Sequence, residues 1–540
     1  YLKDYYQDDD LDNLSKCQVD YCYRIVALPT SYDDAIKGPN SSKWKVAMDE
    51  EYQALLDNDT FDVVPPPRNH PVTGGRWVYA IKEDGKNNEI FKARYVAQGF
   101  SQVQGINYEE TFSPTVKSSS IRMLMQIVAD ENLTVEQLDV KSAYLHANID
   151  CEIYLEQPTG YETYSNNVRN VLKLKKSIYG LKQSGRNWYC LLHNFLCEQN
   201  FIHSQTDHCV YVKHVNGIKI IILVFVDDLI IAGSNSDVVN EVKNAFKSRF
   251  KMKELGELSL FLGMQFKIKD HCVTINQKSF INKLLDRFQM SECKMKNLPC
   301  DPSIVKLSNE DSSELADAKL YREMVGSLIY LMTGTRPDIC YAVTKLSENM
   351  CKPTKAHLNV AKHVLRYLKY TIDYELKFTK CRNAMKLVGY SDSDWASSTD
   401  RRSISGYCYM LNESGPLISW KSTKQKVVAL SSCEAEYVAV SACVTEGKYL
   451  NQLFSDMQGI DNKCFLIYAD NQGAIALSKN PVHHKRSKHI DVRHHFIRTE
   501  IENSSIDLSY VPTDDNISDI FTKPVSKNRF KRFSCIRGEV

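Results

Sequence analysis

Apolar residues recur at helical spacing from Trp44 to Leu56, which predicts a helix, and the run Pro65-Pro66-Pro67 then punctuates the chain. Alternation replaces that spacing next: Arg76–Lys82 and Ile90–Ala97 read as two strands around the turn Asp84-Gly85, a hairpin. Helical signal returns over Ser120–Asp130, with a serine as the expected N-cap. Leu133–Leu145 reads as a strand running into a turn, and the basic stretch Lys173–Arg186 leads into a helix through Cys197. Ile218–Gly233 is predicted as strand, turn and strand with carboxylates at the tip, followed by a helix over Val238–Phe250 and a strand over Leu258–Ile268. From about Gln277 to Lys380 the texture is mostly helical, with interruptions at Pro299, Pro302, Pro337 and Pro353. After Met385 it changes again. Strands at Leu387–Ser391 and Ser405–Leu411, a helix over Glu434–Gln458, a strand at Phe465–Ala469 and a final helix around Ile517–Thr522 predict a separate α/β unit beginning near residue 386. There is no internal repeat or low-complexity tract.

Length and composition narrow this picture. At 540 residues the chain exceeds one core and predicts three or four domains. Its 43% hydrophobic and 25% charged residues are those of an ordinary globular protein. The longest apolar run, Ile218–Ile231, is broken by Lys219, Asp227 and Asp228, which argues against a bilayer span and a membrane role. No signal peptide is visible, and Tyr1 in place of Met reads as a piece of a longer translation product. Seventeen cysteines, an odd number without a CxxC pair, fit a reducing intracellular setting. The stretch Tyr1–Asn13 is acidic and reads as a solvated tail or linker. A net charge of +2 leaves any nucleic-acid binding to local patches.

The candidate chemistry begins with Asp227-Asp228, set in a run otherwise apolar enough to be a buried strand pair. Burying one unpaired carboxylate costs several kcal/mol, so either a cation lies near or the pair sits at a solvated turn. Taken alone, a plain Asp-Asp turn accounts for it as well as a catalytic centre does. Asp139, near the end of its own short apolar strand, breaks the tie. Carboxylates converging from neighbouring strands make an all-oxygen site suited to Mg²⁺, and a pair of such ions can activate a hydroxyl and neutralise a leaving pyrophosphate.

The motifs Leu138–Leu145 (LDVKSAYL), Ile178–Trp188 (IYGLKQSGRNW), Phe225–Gly233 (FVDDLIIAG) and Phe261–Phe266 (FLGMQF) resemble, in order and spacing, those of copia-type LTR retrotransposon Pol polyproteins. Trp77–Phe100 and Tyr108–Pro114 (YEETFSP) match as well, and the resemblance runs from roughly Pro29 to Lys523. It implies an α/β (α+β) fold: a right-hand polymerase with fingers, palm and thumb, a connecting helical region, then a ribonuclease H-like domain. Carried over by residue, Asp139, Asp227 and Asp228 would hold two Mg²⁺ ions, with Mn²⁺ as a substitute. Tyr144 would be an aromatic gate against the 2′-hydroxyl. Lys92 and Arg94 would grip the triphosphate, with the choice between them open. Tyr179 and Gly180 would line the nucleotide pocket, and Phe261, Leu262 and Gly263 would form the primer grip. Lys253 is a candidate proton donor to pyrophosphate, read more simply as a solvated lysine. Two positions depart from the family: Phe225 replaces the usual Tyr, and Gly185 stands where Pro is general, loosening the helix start.

The C-terminal unit repeats the theme. Tyr390–Trp395 and Tyr468–Gln472 end strands in acids, Ser431–Tyr437 opens a helix with acids behind capping serines, and Asp514–Asp519 leads another helix. Singly these are ordinary caps and turns; together they follow the order of ribonuclease H folds. The segments Arg401–Gly406, Ile418–Gln425, His484–Phe496 and Tyr510–Pro512 resemble the copia-type ribonuclease H. That resemblance nominates Asp392, Glu436, Asp470 and Asp519 as metal ligands, with Asp394 the alternative to Asp392, and Glu436 preferred to Glu434 because Glu436–Ala439 matches a Glu-x-x-Ala helix. Many relatives carry a mobile His after a Val-Pro pair, whereas Thr513 follows Val511-Pro512 here. The basic groups Lys173, Lys175, Lys176, Lys182 and Arg186, and Lys485, Arg486 and Lys488, would supply sequence-independent phosphate contacts. The five histidines from His483 to His495 have no cysteine among them and no finger spacing, so phosphate contact or packing is expected rather than zinc.

The expected division is an acidic tail over 1–28, fingers and palm over 29–270, thumb and connection over 271–385, a ribonuclease H-like domain over 386–525 and a basic tail over 526–540. The implied partners are RNA template, DNA primer, RNA–DNA hybrid and dNTPs, with capsid and integrase segments of the same polyprotein. The implied location is cytoplasmic, in virus-like particles, with a later nuclear stage. Two rival readings remain: a catalytically dead, domesticated descendant that binds nucleic acid, and a DNA-templated polymerase or nuclease of another purpose. The first would show disrupted acids, yet all seven nominated acids are intact. The paired-aspartate box followed by a ribonuclease H-like unit argues against the second.

Overall fold

The computed structural model describes residues 28–83, 89–302, 304, 314–398, 400–411, 415–462, 464–479 and 491–533. Its centre is a six-stranded antiparallel sheet in the order Ile202–His203, Val210–Val215, Ile218–Phe225, Asp228–Gly233, Thr134–Val140, Met252–Glu257. The run from Ile220 to Leu223 is apolar at every position because both faces of this sheet are covered. Helices Ser118–Glu131, Ser184–Glu198 and Ser236–Arg249 supply Leu124, Trp188 and Phe246 to the same core. Each such side chain contributes roughly 1.5–3 kcal/mol on burial.

Above that sheet stands the hairpin Gly75–Glu83 and Glu89–Ala97, in register from Gly75 opposite Ala97 to Glu83 opposite Glu89. Its expected turn, Asp84-Gly85, lies outside the described residues. Trp44, on helix Ser41–Asp57, holds the hairpin down with edge-on ring contacts to Tyr79 (5.1 Å) and Phe91 (4.7 Å). Beside it lies a four-stranded sheet in the order Phe61–Val64, Val171–Leu174, Tyr154–Glu156, Val72–Thr73.

Two local expectations need correction. The helix expected to start on a serine cap begins at Ser118, with Lys117 at its N-cap and no capping side chain of its own. The cap comes instead from a distant strand connection: Asp207 Oδ2 accepts from Lys117 N (3.1 Å) and Ser120 Oγ (2.6 Å), doing what a local serine would have done. The single strand expected over 258–268 is a tight hairpin, Leu260–Phe261 and Met264–Lys269, because Leu262 and Gly263 both turn at positive φ (50° and 72°). This hairpin continues into Cys272–Asn276 and Leu376–Thr379, a four-stranded sheet that packs on helix Ser118–Glu131 of the central core, whereas helices Lys278–Arg287, Ala318–Gly334, Cys340–Ser347 and Lys355–Tyr370 form an apolar cluster of their own. Arg336 and Asp338 form a buried pair among those helices, satisfied by Thr371 and by the Tyr367 hydroxyl.

The C-terminal sheet runs Ser419–Lys424, Ile404–Met410, Val388–Asp394, Phe465–Ala469, Ile506–Tyr510, with the first three strands antiparallel and the last two parallel. The 27-residue helix Ser432–Gln458 crosses this sheet and also packs on helix Ser118–Glu131 of the central body, so the two share one apolar core. The segment expected as a basic tail contains a helix, Lys527–Arg532. Among the described residues no helix is long and apolar enough to cross a membrane, and the fourteen described cysteines are free.

Arg122 ties three regions together. Its guanidinium donates to the carbonyls of Ile418 (2.6 Å), Thr333 (2.7 Å) and Gly334 (2.8 Å), and stacks 4.0 Å from the Trp420 ring. Replacing it with leucine leaves three buried carbonyls unsatisfied, at about 1–3 kcal/mol each. Arg122→Leu should therefore lose about 3 kcal/mol or more and split calorimetric unfolding into two transitions; a single unshifted transition would contradict this role.

Candidate functional site

The central carboxylates are positioned by strand register. Asp228 pairs directly with Asp139, and on the other side of the same strand Asp139 pairs with Lys253, so the three lie in a row on one face of the sheet. Their strand neighbours Leu138, Val140 and Leu229 point to the opposite face and are buried. Asp227 and Val226 form the two-residue turn between Phe225 and Asp228. Val226 has φ of 55°, a left-handed conformation that a β-branched residue rarely takes. Two bonds hold it there: Trp188 Nε1 donates to Val226 O (2.7 Å), and Val140 N donates to Asp227 O (2.8 Å). Strain of this kind costs of order 1–3 kcal/mol and persists only where the surroundings over-determine it. Phe225 is buried with its ring 6.4 Å from Phe261, so the family's usual tyrosine is replaced by apolar packing.

A chain of contacts leads from this tip to the upper hairpin. The ring of Tyr144 meets that of Tyr179 edge-on at 4.7 Å, and the Arg94 guanidinium lies 4.2 Å over Tyr179. Burial, helped by the Asp227 charge, pushes the Tyr144 hydroxyl up to about 12, so it stays protonated. Gly180 has φ of 91°, and a Cβ there would lie 2.1 Å from Ala97 O. Only glycine lets this segment close on the hairpin, where Ala97 N donates to Tyr179 O (2.9 Å). Lys92 lies two residues before Arg94 on the same strand, across from Ala80. Glu51, unnoticed in the sequence, faces both cations; burial raises its carboxyl while Arg94 and Lys92 oppose that. In the hairpin 260–269, Leu262 O accepts from the Tyr330 hydroxyl, which anchors the Phe261-Leu262-Gly263 turn to the helices.

The basic cluster near this body is partly neutralised. Lys173 pairs with Glu152 (2.7 Å), Lys175 with Asp62 (2.9 Å) and Arg186 with Glu110 (2.6 Å), whereas Lys176 and Lys182 contact Asn148 and Tyr108. Exposed pairs of this kind are weak and yield to phosphate. Gly185 does not loosen its helix visibly: Ser184 Oγ donates to Ile178 O (2.5 Å) at the first turn. Lys485, Arg486, Lys488 and the histidines His483, His484 and His489 lie outside the described residues.

In the C-terminal unit Asp392, Glu436 and Asp470 bring carboxylate oxygens within 4.8 Å of one another. Asp392 and Asp470 sit at or beyond the ends of neighbouring parallel strands, and Glu436 in the first turns of the long helix, whose N-cap Ser431 accepts from Glu434 N. Glu434 instead accepts from Leu430 N (2.8 Å) at the exposed helix start. Asp394 is outside the three-acid group among the described residues. Glu436 Oε1 accepts from Ser393 N (3.1 Å), whereas its buried Oε2 has no hydrogen-bond partner among the described residues. Burial pushes Asp392 up to about 6, with repulsion from Asp519 adding to it. Burial likewise raises Glu436, which also feels Asp392 and Asp470, and raises Asp470, which feels Asp392. Asp519 lies beside Asp392 but outside the three-acid group, held by Lys523 (3.1 Å) and Arg529 (2.6 Å). Thr513, directly after Val511-Pro512, hydrogen-bonds Asp470. Lys523 and Arg529 were not nominated from the sequence; the only available signal was Lys523 one helical turn beyond Asp519.

Residues 58–302 match the family described as "Reverse transcriptase (RNA-dependent DNA polymerase)". That region belongs to the reverse transcriptase family. Over 93% of its length the chain is 37% identical to the retrovirus-related Pol polyprotein from transposon TNT 1-94 of Nicotiana tabacum, and 38% identical to that from transposon RE1 of Arabidopsis thaliana. It spans 38% and 34% of the lengths of those two relatives. The foamy viral protease-reverse transcriptase in complex with dsDNA is 12% identical and aligns with a TM-score of 0.50 over 87% of this chain and 83% of that one, which shows a common fold. The paired aspartates Asp227 and Asp228 thus lie within the reverse transcriptase region, and Asp392, Glu436 and Asp470 lie beyond it.

Two predictions follow from this geometry. Trp188→Phe keeps the ring but removes the hydrogen bond to Val226; it should lower stability by about 1–2 kcal/mol in denaturant melts, and unchanged stability would show that the bond does not hold the strained turn. The second concerns pH. A carboxyl raised in the folded state contributes stability below its unfolded value near 4 and loses it as pH rises through the folded value. In EDTA, Asp392→Asn should therefore match the parent's melting temperature near pH 4, exceed it by a margin that grows to about pH 6, and hold that margin above. An equal gap at all pH values would contradict the repulsion argument.

Proposed function

We propose that this chain is an RNA-directed DNA polymerase with ribonuclease H activity, copying retrotransposon RNA into DNA and degrading the RNA strand of the hybrid. The observation that carries the reading is the pairing of Asp139 with Asp228 across adjacent strands, with Asp227 at a strained, doubly anchored turn beside them. An all-carboxylate donor set suits Mg²⁺, with Mn²⁺ as a substitute. The orphaned Glu436 oxygen and the three crowded carboxylates of the second cluster call for a cation in the same way. Asp139, Asp227 and Asp228 would hold the ions of the first centre, and Asp392, Glu436, Asp470 and Asp519 those of the second. Bound divalent ions would supply charge neutralisation at phosphate and a lowered pKa for the attacking oxygen.

The chain's own residues then act as follows. Arg94 and Lys92 reach the incoming dNTP triphosphate from the upper hairpin, while Tyr144, braced against Tyr179 above Gly180, blocks the 2′-hydroxyl of a ribonucleotide. Phe261, Leu262 and Gly263 steady the primer so that its 3′-hydroxyl attacks the α-phosphate and pyrophosphate leaves. Lys253, beside Asp139 in the sheet register, is exposed, which supports the simpler reading of a solvated lysine over a proton donor to that leaving group. The working partners are RNA template, DNA primer, RNA–DNA hybrid and dNTPs, in fingers and palm over 29–270, thumb and connection over 271–385 and a ribonuclease H-like domain over 386–525. Cytoplasmic virus-like particles, with capsid and integrase segments of the same polyprotein, are the proposed setting.

The test is primer extension on RNA and DNA templates with and without Mg²⁺, alongside cleavage of an RNA–DNA hybrid. Asp227→Asn should abolish extension and spare hybrid cleavage; Asp470→Asn should do the reverse. Loss of both activities in either folded variant would overturn the two-centre assignment, and no extension by the parent would favour a dead, nucleic-acid-binding descendant.

A further inference from the structure

The C-terminal acids carry their own counter-cations, from a segment that the proposed chemistry leaves unused. The Asp519 side chain has no exposed surface, yet each of its oxygens is taken by a different cation: Lys523 Nζ lies 3.1 Å from Oδ1 and Arg529 Nη2 lies 2.6 Å from Oδ2. Arg529 belongs to helix Lys527–Arg532, which is fastened in place. Phe530 meets the ring of Tyr367, Phe533 is buried with Ile517, Ile520 and Phe521, and Arg532 pairs with Asp515 (2.5 Å). Arg529 also donates to the carbonyl of Thr513, whose side chain bonds Asp470. Lys523 faces Asp392 and Asp394 as well as Asp519. The orphaned, buried Oε2 of Glu436 lies in the neighbouring three-acid group, whose acids feel the Lys523 charge only at longer range while its ammonium is paired with Asp519.

We infer that Lys523 and Arg529 hold the place of a second divalent ion, so that the centre takes one ion at Asp392, Glu436 and Asp470 and admits another at Asp519 only when the Lys523 side chain swings away and the C-terminal helix withdraws Arg529. The inference rests on the ribonuclease H reading above. Charge accounts for the exchange: two monovalent cations leave Asp519 and one divalent ion replaces them, so the buried carboxylate is never left uncompensated. Lys523 and Arg529 are thus positioning residues that set the order of metal loading.

The experiment is a Mn²⁺ titration of the full chain, followed by calorimetry and by the electron paramagnetic resonance of bound Mn²⁺. It is done in a D227N/D228N background so that only the C-terminal centre is read. The parent should bind one ion tightly. R529Q, and more fully K523Q/R529Q, should gain a second ion or tighten its binding at least tenfold, whereas R532Q, which breaks only the pair with Asp515, should match the parent. Mn²⁺ binding that is the same in parent and K523Q/R529Q overturns this inference alone. Absence of any Mn²⁺ binding, with D470N making no difference, overturns the ribonuclease H reading and this inference with it.

Discussion

Antiparallel pairing between strands Thr134–Val140 and Asp228–Gly233 places Asp139 opposite Asp228, and the rest of the central site depends on that register. A slip of one residue would turn Asp139 to the opposite face and expose Leu138, which is buried. Apolar side chains on both faces therefore enforce the alignment of the acids. The same packing keeps Val226 in its left-handed turn, because Trp188 can reach Val226 O only from a helix seated on that core.

Around this register the chain arranges parts distant in sequence. Gly180 allows the segment bearing Tyr179 to bond the end of the upper hairpin, which brings Arg94 over Tyr179 and Tyr179 against Tyr144. Arg122 joins the central body to the connecting helices and to the C-terminal sheet through backbone carbonyls, contacts that carry no sequence signature of their own. The two acid clusters consequently sit in one packed body with a shared apolar core.

The clusters differ in how their charge is managed. The central acids are half-exposed at the ends of two interior strands, with Lys253 in the neighbouring register position. The C-terminal acids are more deeply buried, which raises all four, with mutual repulsion adding at Asp392, Glu436 and Asp470, while at Asp519 two cations from the following segment oppose the rise. A buried carboxylate must be protonated, paired or metal-bound, and at Asp519 this centre uses pairing.

The amino-acid sequence by itself determined the strand and helix types around each acid, because periods of two and 3.6 residues and the turn residues are local properties. It also carried the motif spacing over Leu138–Leu145, Ile178–Trp188 and Phe225–Gly233 that resembles reverse transcriptases. Tertiary structure decided what depends on distant partners. Asp207 rather than a local serine caps helix Ser118–Glu131, and Leu262-Gly263 folds an expected strand into a hairpin. Arg529 reaches Asp519, and Glu436, already preferred to Glu434 on motif resemblance, is brought to Asp392 and Asp470. Local pattern sets which conformation a segment prefers, but burial and charge pairing act through space, so only the folded chain shows which cations and backbone groups each acid meets.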